Sequence, residues 1–431
     1  MRRLLAASCL LPLLAVPTTA PATAAQPALP AVATGVGKDL VPVANISYRN
    51  GSDLEFATVN GRDYAIAPAM GSGLRVIDIT TPTAPTVTGF LGCNTSQNDV
   101  QVRGDLVLMG VDGASGGTCF TQAGVSARVG VFVISIANPA VPKVIGFVAV
   151  PQGAHNVTWH PGGRYAYTSD SKLTPYTSPV PGGQLQVIDL LDPTKPTRLA
   201  PISLPGNLMS THDVTFNASG TRAYVAALTA TFILNTTNPA APTEIARIQD
   251  QTVNISHGAD PTPDGRYLLV TDEQAGAIAN GACNVGGVHV YDLLVEAAPV
   301  KVGLWTLDPT TSATATFDSG NLTCTAHVLD YSPTGAVWTN GNYAAGVRMV
   351  SGTSLLARPA DVAWFTPDDA NTWSAKTYKT SRYVFANDLN RGFDVYEWIP
   401  GYGAVNTRLP GAPLAFRASN PAPNGTYCFT R

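Results

Sequence analysis

The stretch GLRVIDITTPTAPTVTGFL, residues 73–91, decides the fold because related stretches recur along the chain. They are GVFVISIANPAVPKVIGFV at 130–148, GQLQVIDLLDPTKPTRLAPI at 183–202, TFILNTTNPAAPTEIARI at 231–248 and GVHVYDLLVEAAPVKVGLW at 287–305. Each begins with an alternating apolar strand and runs through a proline-containing turn into a second strand. Prolines three positions apart fix φ and remove backbone donors, which favours a stiff connection between paired strands.

A second hairpin precedes several of these copies. The clearest examples are HNVTWHPGGRYAYTSD at 155–170, HDVTFNASGTRAYVAA at 212–227 and HGADPTPDGRYLLVTDE at 257–273. Their glycine-containing turns suit tight hairpins between short strands. Two hairpins make four antiparallel strands in roughly 50 residues, which is the repeat unit of a β-propeller. A chain of two β-sandwich domains is the alternative, but the near-constant spacing of the copies argues against it.

The sequence therefore predicts an all-β fold, a single β-propeller of seven four-stranded antiparallel blades. Its blades are predicted to start near Glu55, Asn98, His155, His212, His257, His327 and Trp373. The last blade lacks a clear fourth strand, whereas residues 39–47 resemble that strand and precede the first blade. We expect this N-terminal strand to join the last blade and close the ring, because closure leaves no exposed sheet edge.

The N-terminal segment has the features of a secretory signal peptide. Arg2 and Arg3 precede an apolar run from Leu4 to Val16, and small residues follow at 22–24. The predicted boundaries are 1–24 for the signal peptide, 25–38 for a flexible linker, 39–399 for the propeller and 400–431 for a C-terminal tail packed on the propeller. No later stretch is apolar for long enough to cross a membrane. We therefore expect an extracellular or cell-envelope protein with no transmembrane segment.

The cysteines are interpreted in the light of that export. No pair has the C-x-x-C spacing of a zinc or redox site, and disulfides are the usual state of cysteines outside the cytoplasm. We expect Cys93 to pair with Cys119 and Cys283 with Cys324, leaving Cys428 unpaired, although five cysteines allow other pairings.

Composition and missing motifs exclude several classes of function. Charged residues make up 13% of the chain and the formal charge is −3, so nucleic acid is not an expected partner. The chain contains no G-x-S-x-G, H-E-x-x-H, P-loop or dinucleotide motif, so no nucleotide cofactor is expected. We expect a monomer that binds a small molecule or a cell-surface ligand.

The strand-and-turn units resemble the LVIVD-repeat family of secreted and surface proteins. The matching residues are LRVID at 74–78 with Pro82 and Pro85, and LQVID at 185–189 with Pro193 and Pro196. The likeness covers about residues 40–398, and VRMVS at 347–351 departs from it because no P-x-x-P turn follows. The resemblance implies a propeller fold but not an activity, since the motif describes strands rather than a site.

Four histidines, His155, His212, His257 and His327, occupy one position of the repeat, at the start of the innermost strand. Adjacent blades would bring their imidazoles together at the top of the central channel, and neutral imidazole suits Cu, Fe or Zn. Glu55 is then a further ligand or the general base of a catalytic site. The geometry is similar to the four-histidine iron site of carotenoid-cleaving oxygenases and to the axial histidines of the selenium-binding/methanethiol oxidase family. A structural histidine repeated by duplication is the alternative interpretation.

Further candidates for a substrate pocket lie at the same end of the blades. They are Asn98 and Trp373 at the histidine position, and Asp170, Asp272, Glu273 and Asp388 after the second strand. The longest insertions, at 112–128, 171–183, 273–286 and 307–325, emerge at this top face and would shape a binding surface there. The acidic residues could instead cap turns. Two functions remain open: a metal-dependent oxidoreductase acting on a small molecule at the top face, or a non-catalytic propeller that binds a protein, glycan or cell-wall ligand.

Overall fold

The computed structural model describes residues 32–151, 153–171, 185–204, 210–273, 286–307 and 325–408. Within these ranges the chain forms seven antiparallel sheets arranged as the blades of a propeller, which confirms the predicted fold. One short helix, α1, lies among the described elements. No helix in the described ranges is long and apolar enough to cross a membrane.

The elements follow one another in a simple order. They are β1 (Gly35–Lys38), β2 (Leu40–Ser47), β3 (Glu55–Val59), β4 (Arg62–Ala69), β5 (Gly73–Asp78), β6 (Thr86–Gly92), β7 (Asn94–Thr95), β8 (Asn98–Arg103), β9 (Leu106–Val111), β10 (Ala114–Gly116), α1 (Thr118–Ala123), β11 (Gly130–Ser135), β12 (Lys143–Ala149), β13 (Asn156–Trp159), β14 (Tyr165–Ser169), β15 (Gln186–Asp189) and β16 (Thr197–Arg198). The second half contains β17 (Asp213–Phe216), β18 (Arg222–Ala226), β19 (Thr231–Asn235), β20 (Thr243–Ile248), β21 (Ser256–Pro261), β22 (Tyr267–Asp272), β23 (Gly287–Asp292), β24 (Val300–Trp305), β25 (Leu329–Tyr331), β26 (Val337–Gly341), β27 (Val347–Ser351), β28 (Asp361–Pro367), β29 (Thr372–Thr377), β30 (Tyr383–Asp388), β31 (Gly392–Trp398) and β32 (Ala404–Asn406).

Blades one, three, four and five each contain four successive strands. Blade two skips β10, blade six has two additional strands, and blade seven takes its fourth strand from the start of the chain. Blades one to six are β3–β6, β8-β9-β11-β12, β13–β16, β17–β20, β21–β24 and β25–β28, and blade seven has the order β29-β30-β31-β2. The first strand of each blade lies nearest the axis. The pair β7 and β10 forms a separate small sheet beside blade two.

Strand β2 closes the ring as the sequence predicts. It pairs antiparallel with β31, with Leu40 opposite Trp398 and Ser47 opposite Gly392. The preceding stretch differs from the expected flexible linker, because β1 pairs with β28 at the edge of blade six. A Cβ atom at Gly35 or Gly37 would collide with the backbone of β28, so glycine permits the close approach. Such a short, glycine-rich strand gives no apolar alternation that the sequence could reveal.

The start of the C-terminal segment also belongs to the sheet. Strand β32 pairs with β1, so blade six has six strands instead of four. Thr407 donates a hydrogen bond from its hydroxyl to the carbonyl oxygen of Ala33 at 2.6 Å. Both ends of the described chain are thereby fixed to the same blade. The remainder of the predicted tail, 409–431, lies outside the described residues.

The core lies between blades, where the faces of neighbouring sheets meet. Ile66 and Val76 of blade one, for example, share one apolar cluster with Val100, Met109 and Phe132 of blade two. Middle strands are therefore buried on both faces, and β11 has five consecutive buried residues. This two-sided burial explains the continuous apolar runs in the third strand of the repeats.

A disulfide joins Cys93, just after blade one, to Cys119 in α1 of blade two, with an S–S distance of 2.00 Å. Both cysteines are buried. The predicted pairing of Cys93 with Cys119 is confirmed. Cys283, Cys324 and Cys428 lie outside the described residues, so their pairing stays a prediction.

A glycine in the fourth strand of a blade receives the proline turn of the next blade. A Cβ atom at Gly146 would collide with the carbonyl oxygen of Pro193, and one at Gly89 would collide with that of Pro139. The repeated glycine and the repeated P-x-x-P turn are thus two sides of one contact between neighbouring blades.

We expect Gly146→Ala to lower the free energy of unfolding by about 1 to 3 kcal/mol, the usual cost of overpacking a filled site. Gly92→Ala is the matched control, because its Cβ would meet its nearest neighbour, Thr118 Oγ1, at an ordinary 3.5 Å. Denaturant unfolding of both variants measures the difference. Equal stability of the two variants would contradict the proposed contact.

Candidate metal centre

Three of the four histidines are held at equivalent positions by the same backbone hydrogen bond, whereas His257 lies at a register shift in β21. The amide N–H of His155 donates to Ser169 O at 2.6 Å, that of His212 to Ala226 O at 2.7 Å, and that of His327 to Gly341 O at 3.0 Å. In each case the acceptor is the last residue of the second strand of the blade. Their side chains therefore reach the axis at one level.

The imidazoles form a continuous row at that level. Ring centroids are 4.6 Å apart for His155 and His212, 4.2 Å for His212 and His257, and 4.2 Å for His257 and His327. The ring of Trp373 continues the row from blade seven, 4.2 Å from His327. All five side chains are buried, none more than 4% exposed. We call the four histidines the imidazole row.

Glu55 does not belong to this level, although the sequence prediction placed it there. Asp53 and Asp99 each accept a hydrogen bond from the next blade, from Val100 N at 3.1 Å and Val157 N at 2.8 Å, so these two carboxylates occupy equivalent positions. Ser52 is therefore the residue of blade one that corresponds to the histidines. The prediction that Glu55 lies with the histidines is wrong by three residues, because blade one has no histidine to mark its register.

Glu273 lies between two members of the imidazole row. It directly follows β22 and is 2% exposed. Its Oε2 is 3.8 Å from His257 Nε2, and its Oε1 is 3.7 Å from His327 Nε2. One ligand atom from each of these three residues lies within 4.8 Å of the other two. We call His257, Glu273 and His327 the metal triad.

The hydrogen bonds of His327 fix which of its nitrogens can bind a metal. Nδ1 is 2.9 Å from the carbonyl oxygen of Trp373, which can only accept, so Nδ1 carries the proton. Nε2 is left with a lone pair on the side of Glu273, and it has no hydrogen-bond partner. A neutral histidine held in this way by a backbone carbonyl is the usual form of a metal ligand.

Glu273 is oriented in a similar way. Tyr343 donates its hydroxyl hydrogen to Oε1 at 2.5 Å, while the buried Oε2 has no hydrogen-bond partner. Two buried polar atoms of the triad thus lack a hydrogen-bond partner: Glu273 Oε2, which lies 3.8 Å from His257 Nε2, and His327 Nε2, which lies 3.7 Å from Glu273 Oε1. Leaving such groups unsatisfied costs about 1 to 3 kcal/mol each, and a cation between them would remove that cost.

The other two histidines differ from each other. The ring of His212 lies 4.2 Å from that of His257 and interacts with the His257 backbone, so it lies beside the metal triad without belonging to its close group of ligand atoms. His155 is held by two partners, with Nδ1 2.8 Å from Asp112 Oδ2 and Nε2 2.8 Å from Gln97 Nε2. The structure thus brings all four predicted imidazoles together, but the close group of ligand atoms contains two of them and Glu273.

The electrostatic environment favours neutral imidazoles. Burial, followed by the neighbouring histidines, holds the pKa values of His212 and His257 well below the usual range. Burial also lowers the pKa of His327 to about 3, despite the hydrogen bond to Trp373. Burial raises the pKa of Glu273 to about 8, and the hydrogen bond from Tyr343 opposes that rise. A site that cannot easily carry protonated histidines keeps their lone pairs available to a metal.

The remaining pocket candidates mostly have structural partners. Asp272 accepts hydrogen bonds from the amides of Asn254 and Ile255, and Asp388 accepts from Asn371 N and Thr372 Oγ1. Both carboxylates therefore hold the segment that leads into the inner strand of their own blade.

Asn98 accepts a hydrogen bond from Ser52 Oγ at 2.9 Å, and it donates to Thr95 Oγ1. Asp170 is buried at the end of β14. Three of the long loops expected to shape the top face lie largely outside the described residues, at 172–184, 274–285 and 308–324.

A cavity of about 290 Å³ lies directly beneath the imidazole row, along the axis of the propeller. We call it the axial channel; its lining residues are Asp53, Glu55, Asp99, Gln101, Asn156, Thr158, Trp159, Pro161, Asp213, Val214, Thr215, Phe216, His257, Gly258, Asp260, His327, Val328, Leu329, Asp330 and Lys376. Sequence reasoning missed most of these residues. The signal lay in the repeat itself, since the residue three positions after each histidine also faces the axis.

No family model and no curated protein sequence matches this chain. Among solved structures, it is similar to the crystal structure of the Myceliophteria thermophila Cps50 (Swd1) β-propeller domain. That match has a TM-score of 0.56 and 13% sequence identity, and it covers 82% of this chain and 99% of the other. At this identity the likeness shows the fold alone. Membership of the LVIVD-repeat family stays a prediction.

Asp260 gives a test of the electrostatics of the axial channel. Burial, followed by the charge of Asp213, raises its pKa from 3.8 to about 8. A carboxyl group with a raised pKa in the folded state binds more protons when folded, so its contribution to stability falls as the pH rises through that interval. We expect Asp260→Asn to be more stable than the wild type at pH 8, and equally stable at about pH 3, where the carboxyl is protonated in both states.

The difference at pH 8 should be about 1 to 2 kcal/mol, because the side chain is partly exposed and solvent screens its charge. Denaturant unfolding as a function of pH measures it. Asp105→Asn is the control, because it removes the same charge from an exposed turn. A wild type as stable as Asp260→Asn at every pH would contradict the raised pKa of Asp260.

Proposed function

We propose that this protein is an exported, metal-dependent oxidoreductase that holds one transition-metal ion with His257, Glu273 and His327 and acts on a small molecule. The observation that carries the proposal is a group of three ligand atoms, one each from His257, Glu273 and His327, that lie within 4.8 Å of one another. Within this group, His327 Nε2 and Glu273 Oε2 are both buried and lack a hydrogen-bond partner. Export is supported by the predicted signal peptide and by the disulfide between Cys93 and Cys119.

The ligand types narrow the choice of metal. Two imidazoles and one carboxylate with open positions are the set found in non-haem Fe(II) oxygenases, and His₂Glu is also a catalytic zinc set. A thiolate ligand would favour Cu(I) or a structural zinc ion, but the described ligands include no thiolate. We therefore propose Fe(II) as the metal of an oxidoreductase, with Zn and Cu as the alternatives that elemental analysis distinguishes.

The geometry requires only a small adjustment for an ion to bind. Ligand atoms about 2.0 to 2.2 Å from one ion lie roughly 3 to 3.5 Å apart. The separations of 3.7 and 3.8 Å exceed this range only slightly, and since the three ligand atoms lie within 4.8 Å of one another, no pair has to approach by more than about 2 Å. Small rotations of the imidazole and carboxylate groups provide such a movement.

Three protein ligands leave coordination positions for water or a substrate, which is the pattern of catalytic rather than structural sites. A bound Fe(II) ion would supply the capacity for electron transfer that no side chain of the site has. The protein's own contribution is to keep both imidazoles neutral, to orient Glu273 through Tyr343, and to hold His327 through the carbonyl of Trp373. The axial channel is the described cavity that reaches the triad from below.

The metal content of the protein tests this proposal. Wild-type protein purified without a metal-affinity tag should contain about one equivalent of a single transition metal per chain. The variants His327→Gln and Glu273→Gln should contain much less, because each removes one of only three ligands. Elemental analysis by mass spectrometry measures the content, and circular dichroism confirms that the variants are folded.

His155→Asn serves as the matched control within the imidazole row. It removes an imidazole that is already held by Asp112 and Gln97, so the metal should be retained. Loss of the metal in this variant would favour the four-histidine site over the triad. Folded, metal-free wild type would contradict the proposal and leave a non-catalytic propeller that binds a protein, glycan or cell-wall ligand.

Tyr343 tests the orientation of the carboxylate. We expect Tyr343→Phe to bind the metal about tenfold to a hundredfold more weakly, the usual effect of losing a partner that orients a metal ligand. Competition with a chelator measures the affinity. A thermal unfolding curve of the metal-free variant separates this effect from a general loss of structure, and an unchanged affinity would show that Tyr343 does not position Glu273.

A further inference from the structure

The axial channel carries far more negative than positive groups. Six carboxylates line it, and we call them the axial carboxylates: Asp53, Glu55, Asp99, Asp213, Asp260 and Asp330. Lys376 is the one cationic side chain among the lining residues. Inner strands that meet at the axis thus bring together acidic residues from five blades.

Lys376 forms ion pairs with only two of the six axial carboxylates. Its Nζ is 2.7 Å from Glu55 Oε1 and 3.3 Å from Asp53 Oδ1. Across the described ranges, no ion pair involves Asp99, Asp213, Asp260 or Asp330. Their hydrogen bonds come from neutral groups, such as Val157 N to Asp99 and Thr215 Oγ1 to Asp260. Asp99, Asp213 and Asp260, on blades two, four and five, are therefore carboxyl groups without an ion-pair partner, whereas the charge of Lys376 also acts on Asp330.

These carboxylates occupy two levels of the channel. Three directly follow the histidine position of their blade and three lie three residues after it: Asp53, Asp99 and Asp213, and Glu55, Asp260 and Asp330. In the described part of the chain, the only His, Cys, Asp and Glu residues that converge tightly enough for a metal ion are the metal triad. An extended row of carboxylates fits an elongated organic cation better than an inorganic ion, since its positive groups can be several ångströms apart. A volume of about 290 Å³ is the size of a small-molecule site.

A second feature of the channel also indicates a ligand. His327 is 1% exposed, lines the channel, and has an Nε2 atom with no hydrogen-bond partner. At the far end the lining includes Trp159 and Phe216, whose aromatic rings provide favourable surfaces for an organic cation and its methylene chain. Five of the six axial carboxylates are partly exposed, whereas the imidazole row is buried, so solvent reaches the histidines from this lower end.

We propose that the axial channel binds a linear organic molecule with two amino groups, which lies along the axis with one end beneath His257 and His327. The binding does not require the metal. Only the role of that end as the reacting group rests on the proposed function. The proposed oxidoreductase would then act on an amine.

The electrostatics of the carboxylates agree with this proposal. Burial, with the charges of Asp53 and Asp213, raises the pKa of Asp99 well above its usual value. Burial also raises the pKa of Asp330 to about 7. A bound diammonium ion would place positive charge beside these groups, as Lys376 does for Glu55 on the other side of the channel.

Titration with cadaverine, a linear diamine, tests the proposal by calorimetry on chelator-treated, full-length protein. We expect saturable binding that weakens as salt is added, and no binding of pentanediol, which has the same chain length without charge. Asp260→Asn/Asp330→Asn should weaken cadaverine binding by at least about tenfold, since it removes two carboxyl groups of the channel that form no ion pair. Asp105→Asn should bind as the wild type does.

The metal variant separates this proposal from the preceding one. Glu273→Gln alters a residue of the metal triad that does not line the axial channel, so this variant should still bind cadaverine even if it has lost its metal, and the two proposals can fail independently. Folded wild type that does not bind cadaverine, or an Asp260→Asn/Asp330→Asn variant that binds it unchanged, would overturn the diamine site. Displacement of cadaverine by an equal concentration of magnesium would also overturn it, because the channel would then be a site for small inorganic cations.

Discussion

The shared axis of the seven blades is the constraint on which the other features of the structure depend. Inner strands converge there, so residues at equivalent positions of repeats far apart in sequence must lie side by side. The imidazole row, the metal triad and the axial carboxylates all result from that convergence. Apolar side chains fill the space between the blades, whereas the axis itself contains polar groups that need partners.

The polar groups at the axis fall into two regions, which differ in whether the protein itself supplies their partners. Around Asp53, Glu55, Asp112 and His155, every charged or imidazole group has a partner within the protein. Around Glu273 and His327, buried polar atoms lack a hydrogen-bond partner within the protein. Because buried acceptors without donors are costly, the second region is the one where a bound ion or ligand contributes most to stability. Structural and candidate functional residues thus share one level of the same repeat.

Repetition made most of the fold predictable from the sequence. The P-x-x-P turns, the hairpins and the fourth strand supplied by residues 39–47 gave the blades and the closure of the ring. Strand β1 was not predictable, because GVGK has no apolar alternation. It approaches β28 closely because its two glycines have no side chains. The predicted alignment of blade one with the other blades was wrong for a related reason, since Ser52 does not resemble the histidines to which it corresponds. The partners of Glu273 and the protonated nitrogen of His327 depend on distances that no spacing in the sequence encodes.

Closure of the ring by β2 has a consequence for how the chain folds. Asn45 in β2 donates a hydrogen bond to Asp394, a residue 349 positions away. Contacts between such distant residues are the slowest to form, because the entropy of closing a very long loop must be overcome first. A chain that is synthesised N-terminus first must therefore keep β2 unpaired until blade seven has followed it. The ring can close only after the last blade has been made, so the first strand of the propeller is among the last to find its partner.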